Sequence, residues 1–256
     1  MFLCVLRQDH AAPLPAPVVP VLMYHHIREP LPSDGPAARF IVSPTAFGAQ
    51  LDYLRANGYT AIDTTRLADA ILRGARLPEK PVLITFDDGW QEHATIVLPM
   101  LRERGMVGVF FIHTGAPGEE PGSYVSWTQV CELEESGMDV ESHTIGHPSL
   151  PAVDSAVCEH ELRESRRVLE LKLQRPVLAV AYPFGDFTER EIEAARRAGY
   201  QVAFSTEVGL RQDAPMELHR TIVTSTDTID DFAIKLTEVS GDRALLDYRQ
   251  SITPLR

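Results

Sequence analysis

Pro81-Val82-Leu83-Ile84-Thr85-Phe86-Asp87-Asp88-Gly89 is an apolar run of strand length that ends in two adjacent carboxylates and a glycine. Successive side chains of a strand leave on opposite faces, so one carboxylate can ligate a cation while its neighbour stays free as a base. Downstream, His143-Thr144-Ile145-Gly146-His147 supplies two imidazoles. Two histidines and one carboxylate leave coordination positions open to water and substrate, the arrangement of a catalytic rather than a structural metal site. Taken singly, Asp-Asp-Gly is an ordinary turn and an H-x-x-x-H pair an ordinary solvated helix face. Together, in this order and each after a strand-like run, they point to a metal hydrolase.

The same alternation runs through the rest of the chain. Residues 18–23 read as the first strand, ending in Tyr24-His25-His26. Ser43-Pro44 opens a helix with Phe47, Leu51 and Leu54 on one stripe and Gly58 beyond its end. A second helix carries Leu67, Ile71 and Leu72 before Gly74, and a third carries Ile96, Val97, Met100 and Leu101 before Gly105. Residues 107–112 form a strand, Ser126 and Gln129 make a capping box for a helix with Val130 and Leu133 inward, and residues 138–142 deliver His143. A helix over 154–173, a strand over 177–182, a capping box at Thr188 and Glu191, strands over 202–204 and 218–223, and a helix with Phe232, Leu236 and Val239 complete the series. Repeated units of this size predict an α/β fold, a parallel sheet closed or nearly closed with helices outside. Chemistry in such folds gathers at the carboxyl ends of the strands. Tyr24-His25-His26, Asp87-Asp88-Gly89, His143 to His147, Tyr182-Pro183-Phe184-Gly185 and Glu217 to Arg220 all fall there.

Composition bounds the partners. A chain of 256 residues with 44% hydrophobic content can bury one sizeable core. The formal charge of -12 and the absence of a long basic run exclude nucleic acid as the expected partner. Cys4, Cys131 and Cys158 have no zinc-finger spacing and read as free thiols. Met1 to Leu6 is too short for the apolar core of a signal peptide, and no later run is long enough to span a bilayer. Pro13, Pro15 and Pro17 stiffen the start, so residues 1–17 are expected as a poorly ordered lead and 18–256 as a single domain.

Thr-Phe-Asp-Asp-Gly at 85–89 and Ser-His-Thr-Ile-Gly-His-Pro-Ser-Leu at 142–150 resemble, in that order, the polysaccharide deacetylases with a NodB-like domain. This carbohydrate esterase family 4 removes N- or O-acetyl groups from glycans. Residues 20–27, 47–59, Leu77-Pro78 and 182–185 are similar to the branch that deacetylates poly-β-1,6-N-acetylglucosamine in biofilm matrices. The resemblance implies a distorted (β/α)7-type barrel, the NodB-like deacetylase fold, and an acetylated glycan as substrate. It implies Asp87 as catalytic base and Asp88, His143 and His147 as ligands of a divalent metal, commonly Zn2+, with Co2+ or Ni2+ compatible. It also implies the backbone N-H of Phe184, in the turn that follows Tyr182, as oxyanion donor. Members act mainly at the envelope or matrix, outside the cytoplasm, although no export signal is visible here.

Two roles do not transfer from the family pattern. Ala181 stands where many members carry an arginine that orients the base, and the usual late-strand histidine acid has no clean match. His219 and His25 are the candidate acids, and Arg220 the candidate orienter. Trp90 and Trp127 read as structural residues, with sugar stacking as the alternative. His10, His93, His113 and His160 receive no role. The other readings are a deacetylase of chitin oligomers, peptidoglycan or acetylated xylan, and a catalytically inactive glycan-binding module, against which the intact Asp87 counts.

Overall fold

The structure, a computed structural model, describes residues 16–117 and 122–237. Most of the Pro-rich lead, with Cys4 and His10, lies outside the described residues, as does Val239. The strands are β1 (Val21–Tyr24), β2 (His26–Ile27), β3 (Ile41–Val42), β4 (Thr60–Ala61), β5 (Pro81–Phe86), β6 (Val109–Ile112), β7 (Asp139–Ser142), β8 (Ala179–Ala181), β9 (Val202–Phe204) and β10 (Thr221–Ile222). The helices are α1 (Pro44–Ala56), α2 (Thr64–Arg73), α3 (Leu98–Glu103), α4 (Trp127–Glu135), α5 (Ser155–Leu173), α6 (Glu189–Ala198) and α7 (Ile229–Thr237).

The main sheet runs β10-β1-β5-β6-β7-β8-β9 and every pairing along it is parallel. Its two ends are joined by the segment leading into β10. Leu218 N-H donates to Ala203 O at 2.8 Å and Ser205 N-H donates to Leu218 O at 2.9 Å, while Thr221 pairs with Leu22 of β1. The sheet therefore curls into a barrel with the helices outside. Alternation sorts the side chains into two cores. Val21, Leu83, Val109, Phe111, Ala181 and Phe204 fill the lumen. Tyr24, Ile84, Phe86, Phe110, Val140 and Val180 face outward against Leu51, Leu101, Leu133, Leu162 and Leu169 of the helices. Each such side chain contributes about 1.5–3 kcal/mol by leaving water.

The helix termini follow their capping residues. Ser43, Asp63, Ser126, Asp154 and Thr188 each accept a backbone N-H of the first turn, and Gly74 and Gly199 end α2 and α6 in the left-handed conformation. Some expectations are corrected. The first strand starts at Val21 because Pro17, Val18 and Val19 pair instead with 210–212 across the lower end of the barrel. Leu72 is 42% exposed and leaves the α2 stripe. The third helix is continuous but widened: a π-type turn over His93–Val97 runs directly into α3, where Pro99 offers no N-H to the preceding turn. The parallel pair β2-β3 and the short β4, which pairs with the start of β5, carry too few residues to show a period.

The lower end of the lumen is polar. Asp139 and Glu141 of β7 point inward, and Arg175 reaches both, at 3.0 and 3.2 Å, besides binding Glu134 with two nitrogens. Glu141 also accepts the N-H groups of Leu178 and Ala179, at 2.9 and 2.7 Å, and Thr64 donates to Asp139 through its N-H and its hydroxyl. One guanidinium faces three carboxylates. Burial and the neighbouring Asp139 hold Glu141 well above the ordinary carboxylate range, and burial raises Asp139 against the pull of Arg175. The folded state thus keeps protons that the unfolded chain releases, so this cluster contributes full stability below the ordinary carboxylate range, about pH 4, and loses it as pH rises from there. Chemical denaturation of the wild type and of Glu141→Gln between pH 5 and 9 should give a shallower decline of stability for the variant; identical slopes would exclude a shared proton here.

Candidate metal centre

The carboxyl ends of β5, β7 and β8 and the segment before β10 converge above the lumen. Asp87 continues the inward face of β5 after Leu83 and Thr85, and its N-H donates to Tyr24 O at 3.0 Å. Asp88 and Gly89 then turn the chain with φ of 76° and 78°. Glycine tolerates that region, whereas an aspartate there is strained by about 1–3 kcal/mol. Thr144, His147 and Phe184 also have positive φ, so, among the described residues, four of the six non-glycine residues with this backbone sit at the carboxyl ends of β5, β7 and β8. Strain is concentrated around Asp88, His143 and His147.

Asp88 Oδ1 lies 3.5 Å from His143 Nε2 and 3.5 Å from His147 Nε2. Among the described residues, these three offer ligand atoms all within 4.8 Å of one another. His143 Nδ1 is 2.8 Å from Ala181 O, which can only accept, so Nδ1 carries a proton and Nε2 is the nitrogen turned toward the group. Burial lowers the His147 pKa to about 4, leaving that imidazole neutral and able to ligate. Burial opposes charge on Asp88, yet its hydrogen bond with His143 and the nearby imidazoles hold it well below the usual carboxylate range. One oxygen and two imidazole nitrogens suit a borderline divalent cation, and the residues fit one.

Asp87 is kept apart from this trio. Its Oδ1 accepts from Arg220 at 2.7 Å, with both side chains almost fully buried, and Arg220 Nε donates to Ser205 O at 2.9 Å. The guanidinium also lies over the Phe111 ring at 5.5 Å. Burial would raise the Asp87 pKa, but the charges of Arg220, His143 and His25 outweigh it and lower it. The guanidinium beside Asp87 thus comes from the segment that leads into β10, while Ala181 gives its carbonyl to His143.

The other site residues separate. His25, partly buried, lies near enough to the same group to feel its charges: burial lowers its pKa, and the opposing pull of Asp88 and Asp87 does not reverse this. His93 fixes that segment by donating from Nε2 to His25 O at 2.8 Å. His219 neighbours Arg220 in extended chain and so faces the other way, its ring against Gly209, where a Cβ would come within 2.0 Å of Nδ1. Its backbone is held by Gln212 on both sides. Phe184 does reach the group, its ring edge-on to His147 at 4.6 Å, from a turn with φ of 61°. The Tyr182 ring instead points outward and stacks on Phe187 at 5.1 Å within the helix layer, so it presents no surface to a substrate.

Sequence reasoning missed what holds the histidine loop. Glu161 of α5 accepts from Ile145 N-H at 2.8 Å and Gly146 N-H at 2.9 Å, and on the other side Thr114 and Gly115 donate to the carbonyls of Thr144 and Ile145, both at 2.9 Å. Gly115 is required there, because a Cβ would stand 2.8 Å from Ile145 O. Nothing in the period of α5 marks Glu161, which flanks the buried stripe of Cys158, Leu162, Ser165 and Leu169.

The sequence model of the family described as polysaccharide deacetylase matches residues 74–203. YxkH of Bacillus subtilis, named for the same family, is 29% identical over 204 residues, covering 79% of this chain and 70% of that one. The poly-β-1,6-N-acetyl-D-glucosamine N-deacetylase of Escherichia coli strain K12 is 27% identical over 255 residues, covering 81% of this chain but only 38% of its own length. Among solved structures, the Streptococcus pyogenes deacetylase PplD in complex with acetate shares the fold with a TM-score of 0.81 at 24% identity, covering 86% of this chain and 98% of that one. The family match spans half of the chain and contains Asp87, Asp88, His143 and His147, and with the barrel that presents them it shows that the chain belongs to the polysaccharide deacetylase family.

Proposed function

We propose that this protein is a metal-dependent hydrolase that removes N-acetyl groups from a β-linked N-acetylglucosamine polysaccharide outside the cytoplasm. The observation that carries the reading is the division of the two aspartates: Asp88 faces His143 and His147, while Asp87 stays off them, ionised and held by Arg220. The similarity to the E. coli N-deacetylase supports the choice of glycan. Asp88, His143 and His147 would hold the cation, zinc being the choice for an O,N,N set of the family. When bound, such a cation polarises a carbonyl and brings the pKa of water toward roughly 7.

The residues of the chain do the rest. Asp87, fixed by Arg220 in its ionised form, takes the proton of the attacking water. The N-H of Phe184, presented by its left-handed turn beside His147, stabilises the oxyanion, where one such donor is worth on the order of 3 kcal/mol. His25, near enough to Asp87, Asp88 and His143 to feel their charges, gives a proton to the leaving nitrogen. Burial outweighs the pull of Asp88 and Asp87 and lowers the pKa of the ring, so that it gives up a proton readily.

Three outcomes follow. Acetate should be released from β-1,6-linked N-acetylglucosamine oligomers faster than from β-1,4-linked ones by zinc-loaded protein, and release from neither would sink the reading. Asp88→Ala should lose bound metal in elemental analysis, whereas Asp87→Asn should retain it and lose about a hundredfold or more in turnover. Arg220→Ala takes away the charge that lowers the Asp87 pKa, so the acid limb of the kcat/KM profile should move to higher pH, with Arg220→Lys restoring part of the shift. An unmoved limb would mean that Arg220 does not act on the base.

A further inference from the structure

The backbone folds back immediately after the second aspartate, and this brings Trp90 onto Asp88. With Asp88 and Gly89 both in the left-handed region, the indole Nε1-H donates to Asp88 Oδ2 at 3.0 Å. The two carboxylate oxygens are thereby given different partners. Oδ1 faces His143 and His147, each at 3.5 Å, and Oδ2 faces the indole. A carboxylate is free to rotate and to ligate through one oxygen or both; a donor fixed on one oxygen removes that freedom.

The indole is itself fixed. Tyr124 stacks on it with centroids 4.7 Å apart and planes at 18°, and the His26 ring lies 4.1 Å from it at 31°. His26 is held by Glu92, Nδ1 to Oε1 at 2.6 Å. The backbone on either side of Trp90 is tied to the loop before α4, with Gln91 N-H donating to Ser123 O and Val125 N-H to Gly89 O, both at 2.9 Å. A tryptophan needed only for packing requires none of this aim at a carboxylate oxygen. A sugar platform would leave the indole face open, and here two rings lie against it.

We infer that Trp90 is a positioning residue that holds Asp88 as a ligand through Oδ1 alone, with the His26-Glu92 pair bracing the indole. The inference rests on the metal reading of Asp88, His143 and His147. Its test reads metal binding without substrate: competition titration of Zn2+ against a chromophoric chelator, and the visible absorption of the Co2+ form, for wild type, Trp90→Phe, Glu92→Gln and the control Trp127→Phe, whose ring meets Lys172. Trp90→Phe keeps the ring and loses the donor, so a weakening of Zn2+ affinity of about tenfold to a hundredfold and an altered Co2+ spectrum are expected, with Trp127→Phe unchanged. Glu92→Gln, which leaves the indole in place, should weaken affinity less and covers the case in which Trp90→Phe does not fold. Affinity and spectrum equal to wild type in whichever variant folds overturn the inference, and a raised KM with unchanged metal binding assigns the indole to the glycan instead. Failure of the metal reading would show separately, as no Zn2+ binding by the wild type.

Discussion

The ion pair between Asp87 and Arg220 ties together the closure of the barrel and the chemistry above it. It spans from the end of β5 to the segment that closes the sheet onto β9 and β1, with both charges out of water. Such a pair gains little over a well-packed apolar pair, but removing one partner strands the other at a cost of about 3–5 kcal/mol. The pairing therefore specifies where the closing strand lies more than it adds stability. It also determines the state of Asp87, since the lumen alone would favour the protonated acid and the guanidinium favours the carboxylate.

Around that tie the barrel separates two kinds of buried charge. At the lower end, Arg175 neutralises too few of the carboxylates around it, and the cluster holds protons. At the upper end the carboxylates stay ionised because imidazoles and a guanidinium surround them. The two sites share β7, whose inward residues Asp139 and Glu141 plug the lumen while His143, one step past its end, joins Asp88 and His147. Backbone strain follows the same division, gathering at Asp88, Thr144, His147 and Phe184, with the loop between Thr144 and His147 held from outside by Glu161, Thr114 and Gly115.

Much of this was legible before any coordinates. Capping residues at Ser43, Ser126, Asp154 and Thr188 mark helix starts through interactions within one turn, and apolar runs mark β5 and β9 because burial on both faces demands them. What could not be read was whatever depends on which residues distant in sequence share a face. His219 looked as good an acid as His25, and only the alternation beside Arg220 turns it toward Gly209. Tyr182 borders the site in sequence and leaves it in space for the same reason, its ring in the helix layer with Phe187.

The sequence by itself determined a parallel sheet with helices outside and the order of its units, and singled out Asp87, Asp88, His143 and His147, because strand period, caps and adjacent ligand types are local properties of the chain. The tertiary structure decided the partners: Arg220 for Asp87, the Ala181 carbonyl for His143, Trp90 for the second oxygen of Asp88 and Glu161 for the histidine loop. Apart from Trp90, which needs only the left-handed turn at Asp88-Gly89, each partner arrives from another strand or helix. No local pattern encodes such a meeting; it exists once the lumen is filled and the closing strand has joined the two ends of the sheet.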